Sequence, residues 1–198
     1  EGVEIAPYNF INVAKKTKLY PNIIKIVIQD AFRLIKNKNK RVSVNISFDD
    51  IANEETTAFI YEILELNKEY TEFLEFEILE SEEISDFNEV SKFIAEIKKF
   101  NCIVGVDDFG AGYSNFNLLT LLDIDFVKID GSLIEKINTS KDLEIIVNTI
   151  ANFSKEFKVK TVAEYVSNED IYNKIKELNI DYCQGYYFDK PLCYDAIE

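Results

Sequence analysis

Apolar residues along this chain recur at two spacings. Ile24, Val27, Ile28, Ala31, Leu34 and Ile35 return every three or four positions, which marks one face of a helix. Pro21 fits the first turn of that helix. The same spacing predicts short helices over 8–18 and 115–122 and longer ones over 54–67, 88–99 and 142–157. Leu143, Ile146, Val147, Ile150 and Phe153 share one face of the last of these. A further helix runs to Leu178, capped by Ser167 or Asn168. Between the helices lie short runs rich in Val, Ile and Phe, at 41–47, 73–79, 102–106, 126–130, 160–164 and 181–188, which read as strands. Strand and helix thus alternate about six times, the signature of a parallel sheet covered on both faces. Because nearly every strand ends in a polar residue, this α/β pattern fits a TIM-type barrel better than an open sheet, with the reacting groups at the strand ends. No linker or short repeat divides the 198 residues, a length that suits one domain.

Charge narrows the partners. There are 22 Lys and Arg against 36 Asp and Glu, a formal net charge of −14. A surface this acidic repels phosphate backbones and anionic lipid, so neither DNA, RNA nor membrane contact is expected of this stretch. No apolar run is long enough to span a bilayer. Cys102, Cys183 and Cys193 have no paired spacing and read as free thiols of a reducing compartment, which points to a cytoplasmic location. The chain has no His, which removes Ser-His-Asp and Cys-His catalysis and any His-held metal. A bound metal would therefore have oxygen ligands, favouring Mg²⁺, Mn²⁺ or Ca²⁺.

The candidate chemistry lies at the strand ends: Asn45, Glu77, Asp107, Asp108, Lys128, Glu164 and Gln184. In a closed barrel these converge on one mouth. Asp107 and Asp108 stand side by side just before the turn formed by Gly110 and Gly112. Neighbouring carboxylates repel unless a cation or a proton separates them, so the pair is either a divalent-metal site or a solvated strand end. With hard cations in place, the cluster would bind phosphate oxygens and lower the pKa of a water.

Six stretches, Val44-Asn-Ile-Ser47, Glu77-Ile-Leu-Glu80, Asp107-Asp-Phe-Gly-Ala-Gly-Tyr-Ser114, Val127-Lys-Ile-Asp130, Val162-Ala-Glu164 and Gln184-Gly-Tyr-Tyr-Phe188, resemble in this order the EAL domain family. The family consists of bacterial phosphodiesterases that open cyclic di-GMP to the linear dinucleotide. The resemblance implies one EAL-type barrel domain over 1–198, a piece of a larger multidomain protein, dependent on Mg²⁺ or Mn²⁺. It implies that Asn45, Glu77, Asp107, Asp108 and Glu164 hold metal, and that Lys128, with Glu164, activates the attacking water. Gln184, Glu80, Phe109 and Gly110 would support the site or touch substrate. A homodimer is implied through the face near the 107–114 loop, anchored by Glu80.

The sequence departs from the family at several points. The Glu-Ala-Leu strand would lie before Glu1 and is not part of this sequence. Tyr165 stands where the family has Gly, Ser167 where it has Glu, Leu79 where Thr is usual, and Ala111 where Thr is common. The Tyr165 and Ser167 changes open the alternative of a catalytically degenerate domain that binds cyclic di-GMP or a protein partner as a regulatory module.

Overall fold

The computed structural model describes residues 9–10, 13–14, 20–80, 86–112 and 116–197. Most of the helix expected over 8–18 lies outside them, as do Tyr113, Ser114 and Asn115. The order is α1 (Tyr20–Lys38), β1 (Val42–Asn45), α2 (Phe48–Ala52), α3 (Glu54–Leu66), β2 (Leu74–Leu79), α4 (Phe87–Lys98), β3 (Ile103–Phe109) and α5 (Asn117–Leu121). Then follow β4 (Phe126–Ile129), α6 (Gly131–Ile134), α7 (Lys141–Glu156), β5 (Lys160–Ala163), α8 (Glu169–Glu177) and β6 (Tyr182–Cys183). The six strands form one parallel sheet in sequence order. Every crossover therefore moves one strand along, as in an α/β barrel. Side chains of one sheet face, among them Ser43, Glu77, Lys128, Val162 and Gln184, line a common cavity of about 550 Å³. One cavity shared by the first and last strands means that the sheet is curled, barrel-like. β1 and β6 are not paired with each other among the described residues.

The outer layer follows the helical spacing. Val90, Phe93, Ile94 and Ile97 of α4 are buried against the sheet, as are Val147, Ile150 and Ala151 of α7. The caps are local: Asp86 accepts from the N–H groups of Asn88 and Glu89, Ser140 from Leu143, and Asn168, rather than Ser167, from Ile171. Two helices absent from the sequence expectation are short and cap-driven. Ser47 and Asp50 form a reciprocal capping box at α2. Asp130 leaves β4 to cap α6 through the Ser132 N–H. The strand expected over 181–188 shrinks to Tyr182–Cys183, because the chain turns away at Gly185.

A repeated device pins the strand starts opposite the site. In Ile124-Asp125-Phe126 and Ile180-Asp181-Tyr182 the aspartate reaches across to the preceding strand. Asp125 Oδ2 accepts the Val104 N–H at 2.8 Å and Asp181 Oδ2 the Thr161 N–H at 3.0 Å. Burial opposes the charge on Asp181, but Lys160 and Thr161 outweigh it and hold the carboxyl below its ordinary range. Asp181→Ala should cost about 2 kcal/mol near pH 7 in urea denaturation, since a strand N–H loses a charged acceptor. A depressed folded pKa gives stability that is present above the unfolded value and lost as pH falls through the folded one. The difference between wild type and variant should therefore shrink below about pH 4.

The thiols differ in the same physical terms. Burial pushes the Cys102 thiol up to about 12, whereas Cys193 is exposed. At pH 8 only about one Cys102 in ten thousand is a thiolate, so iodoacetamide should label Cys193 and spare Cys102 until the protein is unfolded. Peptide mapping by mass spectrometry measures this, and equal labelling of both in the native state would contradict the burial.

Candidate active site

The site begins with a fault in the strand ladder. Val106 pairs with Val127 and Phe109 with Ile129, so three steps on β3 face two on β4. The extra residue is a β-bulge, and Asp108 sits there at φ 55, a left-handed conformation that Asp tolerates. Adjacent residues of a regular strand point to opposite faces. The bulge instead brings carboxylate oxygens of Asp107, Asp108 and Glu164 within 4.8 Å of one another. Both aspartates thus lie inside β3 and not just beyond a strand ending at Val106, as the sequence pattern suggested.

Lys128, on β4, is the counter-charge. Its Nζ lies 2.8 Å from Asp107 Oδ1, 2.8 Å from Glu164 Oε1 and 3.2 Å from Glu77 Oε2. Lys128, Glu77 and Glu164 are all buried. Burial works against the ammonium, but bonds to Asp107 and Glu164 and the charge of Glu77 outweigh it and raise the pKa of Lys128 above its ordinary value. Burial raises Glu77, with Lys128 opposing and Asp107 adding. Burial also raises Glu164, against the pull of Lys128 and with the push of Asp107 and Asp108. Asp108 is raised by burial first, then by Asp107 and Asp130. Four carboxylates thus share one ammonium. That excess of negative charge, with oxygen donors alone, is what a hard divalent cation neutralises, and the residues present fit such a cation.

The remaining predicted residues surround this centre. Gln184 Nε2 donates to Glu164 Oε1 at 2.6 Å. Asn45 stands opposite Glu77 in register at the end of β1 and is exposed. Glu80 Oε2 accepts the Gly110 N–H at 2.6 Å, and its backbone N–H donates to Asp107 O at 3.0 Å. One glutamate thus ties the bulge and the following turn to β2. Gly110 has φ 97, and a Cβ there would come within 2.6 Å of Leu133 Cδ1, so the turn has no room for a side chain. Phe109 does not face the carboxylates: it is fully buried and packs edge-on against Phe116, which packs on Phe153 of α7. Sequence reasoning missed Asp130, whose charge bears on Asp108. Its Asp-Gly step ahead of an apolar run was a readable helix-cap signal.

The EAL domain family model matches residues 1–191. The chain is 31% identical over 195 residues to the cyclic di-GMP phosphodiesterase PdeA of Borreliella burgdorferi, covering 96% of this chain and 29% of that protein. It is 28% identical to the cyclic di-GMP phosphodiesterase PdeB of Shewanella oneidensis, covering 96% of this chain and 23% of that protein. It therefore spans less than a third of these relatives. Among solved structures, an EAL domain protein from Listeria monocytogenes EGD-e superposes with a TM-score of 0.85 at 30% identity, over 98% of this chain and 78% of that one. On this match and this arrangement of strands, the chain belongs to the EAL domain family.

Proposed function

We propose that this chain hydrolyses cyclic di-GMP to the linear dinucleotide, as an EAL-type barrel domain of a longer cytoplasmic protein. The observation that carries the reading is the buried Lys128 held by Glu77, Asp107 and Glu164 beside the converged Asp107–Asp108–Glu164 oxygens. In this reading Asn45, Glu77, Asp107, Asp108 and Glu164 hold Mg²⁺ or Mn²⁺, which when bound gathers phosphate oxygens and lowers the pKa of a water. Lys128 Nζ donates a hydrogen bond to the attacking water and keeps it in line with the phosphorus. Glu164 takes the proton of that water as the new O–P bond forms. The P–O3′ bond breaks and O3′ takes a proton from solvent. Gln184 fixes the Glu164 carboxylate by its bond to Oε1.

Two copies would pair through the face near the 107–114 loop. Support comes from the exposed Leu121, Ile145 and Ile146 on α5 and α7. The Phe109–Phe116–Phe153 ring series links α7 to the bulge. Light scattering should give a concentration-dependent rise in mass that Ile145→Asp abolishes.

The function is tested by incubating the chain with cyclic di-GMP and Mg²⁺ or Mn²⁺ and separating products by chromatography. The linear dinucleotide should appear and EDTA should stop it. Binding without product under every metal condition would overturn the reading in favour of a regulatory module.

A further inference from the structure

Tyr165 holds an unusual position. It follows Glu164 directly, has φ 54 and is 70% exposed. A bulky residue with positive φ is a strained placement that the surroundings must hold. They do so through Gly131: a Cβ there would come within 2.2 Å of Tyr165 Cδ2. The ring is thus laid flat on bare backbone at the start of α6. It stands at one side of a second cavity of about 580 Å³, whose other walls include Gln184, Tyr186, Asp189, Lys190 and Pro191. Tyr186 is 67% exposed, with the Lys190 ammonium 5.8 Å from its ring centre. Two loops frame this cavity and are stapled to each other: Val166 N–H donates to Gln184 O at 3.1 Å, and Tyr187 N–H to Val166 O at 3.0 Å. Gln184 also reaches Glu164, so the cavity adjoins the carboxylate cluster without sharing its charge.

Exposed tyrosines flanking a framed cavity offer ring faces, and a carboxylate beside an ammonium offers an acceptor and a donor. A planar heterocycle presenting both hydrogen-bond donors and acceptors on its edge, such as guanine, matches that combination. We infer that Tyr165 is a specificity-determining residue that stacks on one base of the dinucleotide substrate and so seats the adjoining phosphate at the carboxylate cluster. This rests on the reading of cyclic di-GMP as substrate.

Two substitutions separate this role from a structural one. Tyr165→Gly relieves the positive φ, so its melting temperature should not fall, while its Kd for cyclic di-GMP should rise roughly tenfold, the scale of losing one stacked base. Gly131→Ala changes no residue of the cavity lining but drives the Tyr165 ring off its seat, and should raise Kd in the same direction. Isothermal titration with cyclic di-GMP in Ca²⁺ gives Kd, and initial rates in Mg²⁺ should show the loss in KM rather than kcat. Tyr165→Phe should restore wild-type affinity. Wild-type binding that both variants leave unchanged would overturn this inference alone. Absence of binding by the wild type would overturn it together with the substrate assignment.

Discussion

Replacing Lys128 by alanine is expected to lower the hydrolysis rate of cyclic di-GMP by at least about a hundredfold, the scale of losing a positioned proton-handling or charge-stabilising group. The ammonium sits among Glu77, Asp107 and Glu164 and is the counter-charge of all three. Taking it away leaves those carboxylates facing one another. In EDTA the variant should therefore melt well below wild type, because an unpaired buried charge is strongly destabilising. Adding Mg²⁺ should recover much of that loss while leaving turnover low. Binding of cyclic di-GMP should weaken by no more than about tenfold, because the lost interaction belongs to the transition state. Lys128→Met, which keeps the stem without the charge, should behave the same way. A variant that hydrolysed at the wild-type rate would remove Lys128 from the chemistry.

Asp107→Asn is expected to cost roughly a thousandfold in rate while preserving the fold. Asp107 Oδ1 accepts from Lys128 Nζ at 2.8 Å and from the Asp108 N–H at 3.1 Å. An amide oxygen can still accept these bonds, but the charge is gone. The same charge is among the forces that raise Asp108 and Glu164, so without it both should titrate lower, toward the ordinary carboxylate range. Relief of that repulsion should leave the metal-free variant as stable as wild type or more so, the usual exchange between stability and function at a site of like charges. Thermal melts and initial rates on the same preparations measure both effects. A variant that lost rate and stability together would make Asp107 a folding residue.

The two predictions rest on residues of unequal legibility. The alternation of 3.6-fold and strand-like apolar runs carried the parallel α/β order, because strands β2 to β4 bury most of their apolar residues and helix α7 buries Val147, Ile150 and Ala151, although Ile146 of its expected apolar face is exposed. Elements set by one or two polar contacts left no such pattern. Helix α2 exists through the Ser47–Asp50 box and α6 through Asp130. Strand β6 ends at Cys183 although Tyr186, Tyr187 and Phe188 continue the aromatic run, because the backbone turns at Gly185. The candidate site was legible as a list of strand-end residues. Its geometry was not, since the bulge that brings Asp107 and Asp108 to one side arises from pairing with β4. Phe109, adjacent to Asp108, is buried in the core, edge-on to Phe116. Tyr165 was visible as a departure, but only its contact with Gly131 shows where the ring lies.

In the proposed reaction, water held by Lys128 and Glu164 at the mouth of the barrel attacks a phosphorus of cyclic di-GMP. Hydrolysis in oxygen-18 water with Mg²⁺, followed by mass spectrometry of the product, tests it most directly. The expected product is a linear dinucleotide carrying one heavy oxygen on its terminal phosphate, formed at least about a hundredfold more slowly by Lys128→Ala than by wild type. Product without the heavy oxygen, or labelled product formed at equal rates by both proteins, would contradict it.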